Sequence, residues 1–255
     1  MIETCSLRYP AVGGEEERRA YLYLPTMYKT QPERLFPVLY MFDGQNVFFD
    51  QDATYGKSWG LGEYLDYTDT PLIVAAVACN TGCHNERLTE YTPYPFQDAQ
   101  YGSFAAGGRE TLGWYARQLK PLLDQNLRTL PDPAHTFLAG SSMGGLMSLY
   151  GLLAWGHVFG RAAALSPSIW VAPDKLLALA GRAKAGQVLY MDYGQQEMAG
   201  RTGMRRDFGA LCGRLMERGV QLTGRIVPGG QHNEASWQRQ LPFAIETLMY
   251  GLPEL

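Results

Sequence analysis

The chain has 255 residues, of which 46% are hydrophobic and 18% are charged, and its formal net charge is -3. This length and composition are typical of one folded domain with a large buried core, here expected to span residues 1–255, and they argue against a disordered chain. No stretch concentrates lysine and arginine among aromatic residues, so we expect a small-molecule partner and no nucleic acid.

The first residues carry no sign of export. The N-terminal sequence Met1-Ile2-Glu3-Thr4-Cys5 has an early acidic residue and no apolar run behind a basic flank, unlike a secretory signal. No later apolar stretch approaches the length of a membrane span. We therefore expect a cytoplasmic protein with no membrane partner; the sequence does not indicate its oligomeric state.

Eight segments have the pattern of β-strands. The first two, Thr4–Tyr9 and Arg18–Leu24, alternate in polarity and are separated by Gly13-Gly14 and an acidic turn at Glu15–Glu17, which predicts an antiparallel hairpin at a sheet edge, ended by Pro25. Six further runs predict strands, and the apolar ones are expected to be buried on both faces. These runs are Pro37–Phe42, Leu72–Ala78, His135–Gly140, Arg161–Ser166, Gln187–Asp192 and Gln221–Val227.

Four segments place apolar residues at helical spacing. They are Arg109–Leu127, Gly144–Ala154, Arg201–Arg218 and Glu234–Tyr250. Strands that alternate with helices predict a mostly parallel sheet with helices on both faces, because helices form the crossovers between parallel strands. The segment Asn80–Gly108 has neither period, and a loop of this length is typical of a cover over a binding site.

The strongest local signal is Gly140-Ser141-Ser142-Met143-Gly144-Gly145, which follows a predicted strand and precedes a predicted helix. That context is the one that a nucleophile elbow requires. Glycines two residues before and two residues after Ser142 are needed because larger side chains would clash with neighbouring backbone in so tight a turn. The following helix N-terminus favours developing negative charge, and the amide of Met143 is the expected first oxyanion donor.

A serine hydroxyl needs a base to remove its proton, and in this arrangement the chain order is serine, then acid, then histidine. His232 lies in a glycine-rich loop after the last predicted strand and fits this order. His157 comes before any possible acid-bearing strand. We expect His157, His84 and His135 to be ordinary surface or capping residues.

The acid that orients His232 is expected just past the preceding predicted strand. Asp192 stands at the edge of that strand, and Glu197 stands beyond a glycine turn with the reach to meet the imidazole. Asp192 would otherwise brace the loop. Spacing alone does not choose between the two carboxylates.

The second oxyanion donor is expected in the loop after the strand predicted at Pro37–Phe42. Gly44 allows the backbone to turn so that the amide of Gln45 faces the pocket, with Asp43 bracing the turn. No metal or other cofactor is expected. Cys79, Cys83 and His84 lie close in sequence, but a zinc site needs a fourth ligand at recognisable spacing.

Four segments together form a more specific pattern than the elbow alone. They are Leu24-Pro25 with Phe36–Asn46, Arg87 with Glu90-Tyr91-Thr92-Pro93, Gly140–Gly145 leading to Ala164–Ser168, and Gly230–Trp237. This pattern resembles the putative esterase family, which contains siderophore esterases, S-formylglutathione hydrolases, feruloyl and acetylxylan esterases, and mycolyltransferases. The resemblance implies an α/β-hydrolase fold and covers nearly the full chain.

The resemblance also assigns roles. The family pattern Asp-x-Gly-x-x-acid implies that Glu197 is the acid of the triad, and the amide of Gln45 is implied to complete the oxyanion hole. Four residues are implied to lie around the pocket as substrate-binding residues, although packing for the aromatic side chains and a surface ion pair for the arginine are alternatives. These residues are Trp59, Arg87, Tyr91 and Trp170.

The expected function is therefore that of a serine carboxylic-ester hydrolase that forms an acyl-enzyme on a small ester, of the siderophore lactone or acylated carbohydrate type. The same triad would also serve an acyltransferase, because only the second acceptor differs. A non-catalytic binding protein on a hydrolase scaffold is a further alternative, because a fold alone does not prove activity.

Overall fold

The computed structural model describes residues 1–11, 13–82, 85–99 and 102–252. Within these ranges, eight strands form one sheet and two short strands form a separate hairpin. The strands are β1 (Ile2–Ala11), β2 (Gly14–Tyr23), β3 (Val38–Met41), β4 (Ile73–Val77), β5 (Phe96–Asp98), β6 (Gly102–Phe104), β7 (Thr136–Ser141), β8 (Arg161–Leu165), β9 (Val188–Gly194) and β10 (Gln221–Val227).

The large sheet has the strand order β1-β2-β4-β3-β7-β8-β9-β10. Strand β1 pairs antiparallel with β2, and β2 pairs antiparallel with β4. Every other pairing in this sheet is parallel. The predicted eight-stranded, mostly parallel sheet with an antiparallel hairpin at one edge is confirmed.

Helices connect most of these strands. They are α1 (Met27–Thr30), α2 (Leu61–Tyr67), α3 (Glu86–Glu90), α4 (Gly108–Trp114), α5 (Lys120–Asn126), α6 (Met143–Ala154), α7 (Pro173–Ala180), α8 (Thr202–Glu217), α9 (Glu234–Gln238) and α10 (Leu241–Met249). A π-helical turn at Tyr115–Leu119 joins α4 to α5. Among the described residues, no helix combines the length and the apolar character needed to cross a membrane.

Strand β3 shows how the core is built on both faces of the sheet. Its four residues are all buried, and their side chains alternate between two hydrophobic clusters, with Val38 and Tyr40 in one and Leu39 and Met41 in the other. Helices α4, α6 and α8 contribute to the first cluster, and α2 and α10 contribute to the second. Both faces are therefore covered by helices, as the sequence pattern predicted.

The acidic turn predicted at Glu15–Glu17 was wrong. These residues lie within β2 and pair with Pro10, Tyr9 and Arg8 of β1. The side chain of Glu16 forms an ion pair with Arg18, two residues along the same strand. The charge of Glu16 is thus balanced within β2, and all three glutamates take part in the pairing with β1.

The prediction that Asn80–Gly108 has no regular structure was also wrong. The segment contains α3 and the hairpin β5–β6, in which the rings of Phe96 and Phe104 stack at 5.0 Å between centroids. Elements of three to five residues are too short to show a period in sequence.

The helix predicted at Glu234–Tyr250 is two helices, α9 and α10. Pro242 stands in the first turn of α10, where its missing N–H costs nothing. Inside one continuous helix the same proline would remove a hydrogen bond, so the chain breaks into two helices here.

Candidate active site

Ser142 sits on the sharp turn between β7 and α6. Its backbone angles, φ 57° and ψ -118°, lie outside the regions that residues other than glycine ordinarily adopt. A Cβ atom on Gly140 would lie 2.8 Å from the backbone carbonyl carbon of Gly144, which is closer than real contacts allow. This is the steric cause predicted for Gly140, whereas a Cβ atom on Gly144 would instead meet the side chains of Asp43 and Phe42 at 3.0 Å. The turn presents Ser142 at the carboxyl end of the sheet.

Three side chains distant in sequence form one hydrogen-bonded chain. The imidazole of His232 lies with Nε2 2.9 Å from Ser142 Oγ. Its other ring nitrogen, Nδ1, lies 2.6 Å from Glu197 Oε2. The structure thus brings together the three residues that the sequence and the family resemblance had singled out.

Glu197 is held in place from several directions. Its Oε1 accepts hydrogen bonds from the Gly194 amide at 2.8 Å and the Ser166 hydroxyl at 2.7 Å. Burial raises the pKa of Glu197, but hydrogen bonds from His232, Ser166 and Gly194 outweigh it and hold the pKa below its ordinary value. Glu197 is therefore a carboxylate at neutral pH.

Asp192, the other candidate acid, lies elsewhere. Strand β9 continues to Gly194, two residues past its predicted end, so Asp192 is inside the strand and only 1% exposed. Its carboxylate accepts hydrogen bonds from the Ser166 amide at 3.1 Å and the Tyr190 hydroxyl at 2.7 Å. Burial raises the pKa of Asp192 to about 6. The structure gives this aspartate the bracing position that the sequence left open.

Two backbone amides near Ser142 are available as donors. The residues that carry them, Gln45 and Met143, both line the cleft around Ser142. Neither amide donates to a protein acceptor within the described ranges. The side chain of Gln45 is anchored on Cys79, since its Oε1 accepts from the Cys79 amide and its Nε2 lies 3.1 Å from the sulfur.

An ion pair stands directly beside the Gln45 loop. Nε and Nη2 of Arg87 each donate to the carboxylate of Asp43 at 2.6 Å, in the bidentate geometry that gives the strongest such pairs. Asp43 has a left-handed backbone conformation, and its amide donates to the hydroxyl of Tyr91 at 3.2 Å. Arg87 and Tyr91 therefore fix the turn that precedes Gln45, and Asp43 braces this turn as the sequence predicted.

The cleft has a volume of about 1480 Å³, and its lining includes Arg87 and Trp170. The ring of Trp170 is 46% exposed. The placement of the other two predicted pocket residues was wrong. Trp59 is buried against Trp237 at 6.2 Å between ring centroids, and Tyr91 is buried against Phe42 at 5.2 Å. Both rings are packed among other aromatic side chains, which excludes water from them.

Sequence reasoning missed two residues that touch the hydrogen-bonded chain. Ser166 donates to Glu197, and the Trp237 indole packs edge-on against His232 at 5.0 Å between ring centroids. Both residues lay in segments that carried the family resemblance, but nothing in the spacing indicated their contacts. Within the described part of the chain, no group of residues is arranged to hold a metal ion. Cys83 and His84 lie outside the described residues.

A family model described as Putative esterase matches residues 13–248. The chain belongs to this family. It is therefore a carboxylic ester hydrolase with the α/β fold of these enzymes, as the sequence predicted.

Known proteins resemble the chain over most of its length. The uncharacterized protein YbbA of Bacillus subtilis (strain 168) is 27% identical over 244 residues, covering 92% of this chain and 93% of YbbA. An IroE-like serine hydrolase from Shewanella oneidensis has a TM-score of 0.72 at 20% identity, covering 95% of this chain and 79% of that chain. The siderophore hydrolase EstA from Aspergillus nidulans has a TM-score of 0.69 at 17% identity, covering 95% and 93%. At these identities, the two structures support the fold alone.

The raised pKa of Asp192 leads to a testable pH dependence. The folded state binds the proton of the Asp192 carboxyl group more tightly than the unfolded state. The stabilisation of the fold by the protonated carboxyl group is therefore present below pH 4 and is lost as the pH rises through about 6. The difference between the ordinary pKa of 3.8 and about 6 corresponds to about 3 kcal/mol. We expect the unfolding free energy of wild type minus that of Asp192→Asn to fall by up to this amount between pH 4 and 7, measured by urea denaturation. A difference that stays constant over this range would contradict the assignment.

Proposed function

We propose that the protein is a serine esterase in which Ser142 is the nucleophile, His232 the general base and Glu197 the acid of the triad. The hydrogen-bonded chain from Ser142 Oγ through His232 to Glu197 Oε2 is the observation that supports this proposal most strongly. Both distances lie within the reach that nucleophile activation and base orientation require.

In the first step, His232 Nε2 takes the proton of Ser142 as Oγ attacks the carbonyl carbon of the ester. The C=O electron pair moves to the carbonyl oxygen, and the amides of Gln45 and Met143 donate to this oxyanion. As the tetrahedral intermediate collapses, the C–O bond to the alcohol breaks and the protonated imidazole gives its proton to the leaving oxygen. Water then attacks the acyl-enzyme by the same route, and the acid is released.

The electrostatics of the site suit this sequence. The carboxylate of Glu197 is ionised at neutral pH and only 5% exposed, so it stabilises the imidazolium that forms during both steps with little competition from water. The ion pair between Asp43 and Arg87 holds the turn before Gln45, so the second oxyanion donor needs little rearrangement when the charge develops.

The proposed substrate is a small ester of the siderophore lactone or acylated carbohydrate type. The cleft is large enough for such a molecule, and the half-exposed ring of Trp170 offers a face on which an aromatic ring or a sugar can stack. The first of these classes is the one for which EstA, a protein of the same fold, is named.

Substitution of the nucleophile tests the mechanism directly. We expect Ser142→Ala to lower kcat on a short activated ester by about 10³–10⁶-fold and to abolish labelling by a fluorophosphonate probe, because no other hydroxyl contacts His232 Nε2 in the described structure. The matched control is the neighbouring substitution Ser141→Ala, and this variant should still be labelled at Ser142. Labelling of Ser142→Ala at the wild-type rate would refute the assignment, and a folded wild type that is never labelled would favour a binding protein.

A second comparison tests the acid. We expect Glu197→Gln to lower kcat by about 10³–10⁴-fold, because an amide cannot stabilise the imidazolium and favours the wrong tautomer. Asp192→Asn, the other acid at this end of the sheet, should lose less than about tenfold, because the carboxylate it changes does not contact His232. Circular dichroism on both variants checks that they fold. An equal loss of kcat in the two variants would contradict the assignment of Glu197 as the acid.

An ester panel tests the substrate class. We expect Trp170→Ala to raise KM about 2–10-fold for feruloyl, catecholate trilactone or acylated sugar esters, because stacking on an aromatic ring contributes roughly 0.5–1.5 kcal/mol. A short acetyl ester offers no ring to stack on Trp170, so its KM should be unchanged. An equal effect on every ester would remove Trp170 from the substrate site. Product analysis with added alcohols distinguishes hydrolysis from acyl transfer.

A further inference from the structure

Ser166 has a backbone conformation that is unusual for its residue type. Five non-glycine residues of the described chain have a positive φ: Asp43, Asp69, Asn85, Ser142 and Ser166. Three of them are aspartate or asparagine, which tolerate this region because their short side chains form local hydrogen bonds. The remaining two are serines, and one of them is the proposed nucleophile. Strained backbone of this kind concentrates at functional sites, so the second serine also requires an explanation.

The strained backbone of Ser166 is held by its neighbours. The residue directly follows β8, is 2% exposed, and has a φ of 43°. Its amide donates to the Asp192 backbone carbonyl at 3.1 Å and lies 3.1 Å from the carboxylate Oδ1 of the same residue. Strand β9 therefore holds Ser166 at the carboxyl end of the sheet, beside the loop that carries Glu197.

The direction of the hydrogen bonds at the Ser166 hydroxyl is fixed by chemistry. The indole Nε1 of Trp237 lies 3.0 Å from Ser166 Oγ, and an indole N–H only donates. The hydroxyl proton of Ser166 is therefore free to be donated to Glu197 Oε1, which lies 2.7 Å away. A carboxylate only accepts, so the chain runs from the indole to the hydroxyl and from the hydroxyl to the carboxylate.

This contact divides the two oxygens of Glu197. Oε1 accepts from Ser166 and from the Gly194 amide, which leaves Oε2 for His232. Rotation of the carboxyl group about its last bond is soft on its own, because terminal sp³–sp² torsions have broad minima. The two donors on Oε1 remove that freedom, and the Trp237 ring that supports the hydroxyl also contacts the His232 ring.

We propose that Ser166 is a positioning residue that orients the Glu197 carboxylate, so that Oε2 faces Nδ1 of His232. The proposal rests on the triad proposed above and adds a fourth side chain to it. Ser166 acts through Glu197, since its hydroxyl accepts a hydrogen bond from Trp237 and donates its proton to Glu197.

Glycine and alanine substitutions separate this role from a purely structural one. Glycine adopts a positive φ without strain, so Ser166→Gly removes the hydroxyl while relieving the backbone, whereas Ser166→Ala removes the hydroxyl and keeps the strain. We expect Ser166→Gly to be at least as stable as Ser166→Ala. Both variants should nevertheless lose kcat by about 10–100-fold with little change in KM, which is the loss expected when a catalytic group is misplaced by a fraction of an ångström.

The measurements are made per active site, with kcat divided by the concentration of sites that a fluorophosphonate titrates. A misplaced Glu197 carboxylate stabilises the imidazolium less, and only neutral His232 can act as the base, so the acidic limb of the kcat/KM profile should move to lower pH in both variants. The matched control is Thr136→Val, which removes another buried hydroxyl that donates to the Asp132 carbonyl at 2.8 Å near the start of β7. It should lose stability while kcat and the pH profile stay unchanged.

The outcomes distinguish this proposal from the one on which it rests. If Ser166→Gly keeps the wild-type kcat per site and the wild-type pH profile, Ser166 has no positioning role, and the triad remains supported by Ser142→Ala. If the wild type itself is not labelled at Ser142, the triad fails first and Ser166 fails with it. The positioning role would be supported if both Ser166 variants show a lower kcat and a shifted acidic limb while Thr136→Val shows neither change.

Discussion

The parallel alignment of β7, β8, β9 and β10 is the constraint on which the site depends. These four strands are neighbours in the sheet and run in one direction, so their carboxyl ends meet at one edge. Ser142 follows β7, Ser166 follows β8, Glu197 follows β9 and His232 follows β10. Each strand delivers one side chain of the hydrogen-bonded network, and the hydrogen bonds between strands set the spacing of these side chains. Residues separated by 90 positions in sequence therefore meet within 2.9 Å.

The buried carboxylates around this edge have different partners. Glu197 accepts from three donors, and these outweigh the effect of burial on its pKa. Asp192 is more deeply buried and has an elevated pKa despite its hydrogen bonds from Tyr190 and Ser166. Asp43 is paired with the guanidinium of Arg87. Of Glu197 and Asp192, the acid that faces the imidazole is thus the one whose surroundings favour the charged form, which is the form that stabilises an imidazolium.

The sequence predicted the parts of this arrangement that follow from local rules. The elbow was predictable because it lies between a predicted strand and a predicted helix and because Gly140 is required by a contact with Gly144 in the same turn. The sheet was predictable because strands buried on both faces are apolar throughout. The choice between Asp192 and Glu197 was not local, because it depends on where β9 ends and on which face of the pleat each residue lies. The residue type alone does not distinguish Trp59 from Trp170, yet Trp59 is buried and Trp170 is half-exposed. Such differences arise from contacts between distant segments.

Three adjacent strands end in the same unusual way. Strands β3, β7 and β8 lie side by side, and Asp43, Ser142 and Ser166 after them all have a positive φ. Each of the two serines costs roughly 1–3 kcal/mol in this conformation, whereas aspartate tolerates it, and the two hydrophobic clusters flanking the sheet offset this cost. The positive-φ residue turns the chain away from the direction of the strand within one residue. A gentler turn would need more residues and would carry Ser142 Oγ, the Gln45 amide and the Ser166 hydroxyl farther from the strand ends. Because the strands fix the positions of these ends, turning within a single residue keeps the three groups close to the sheet.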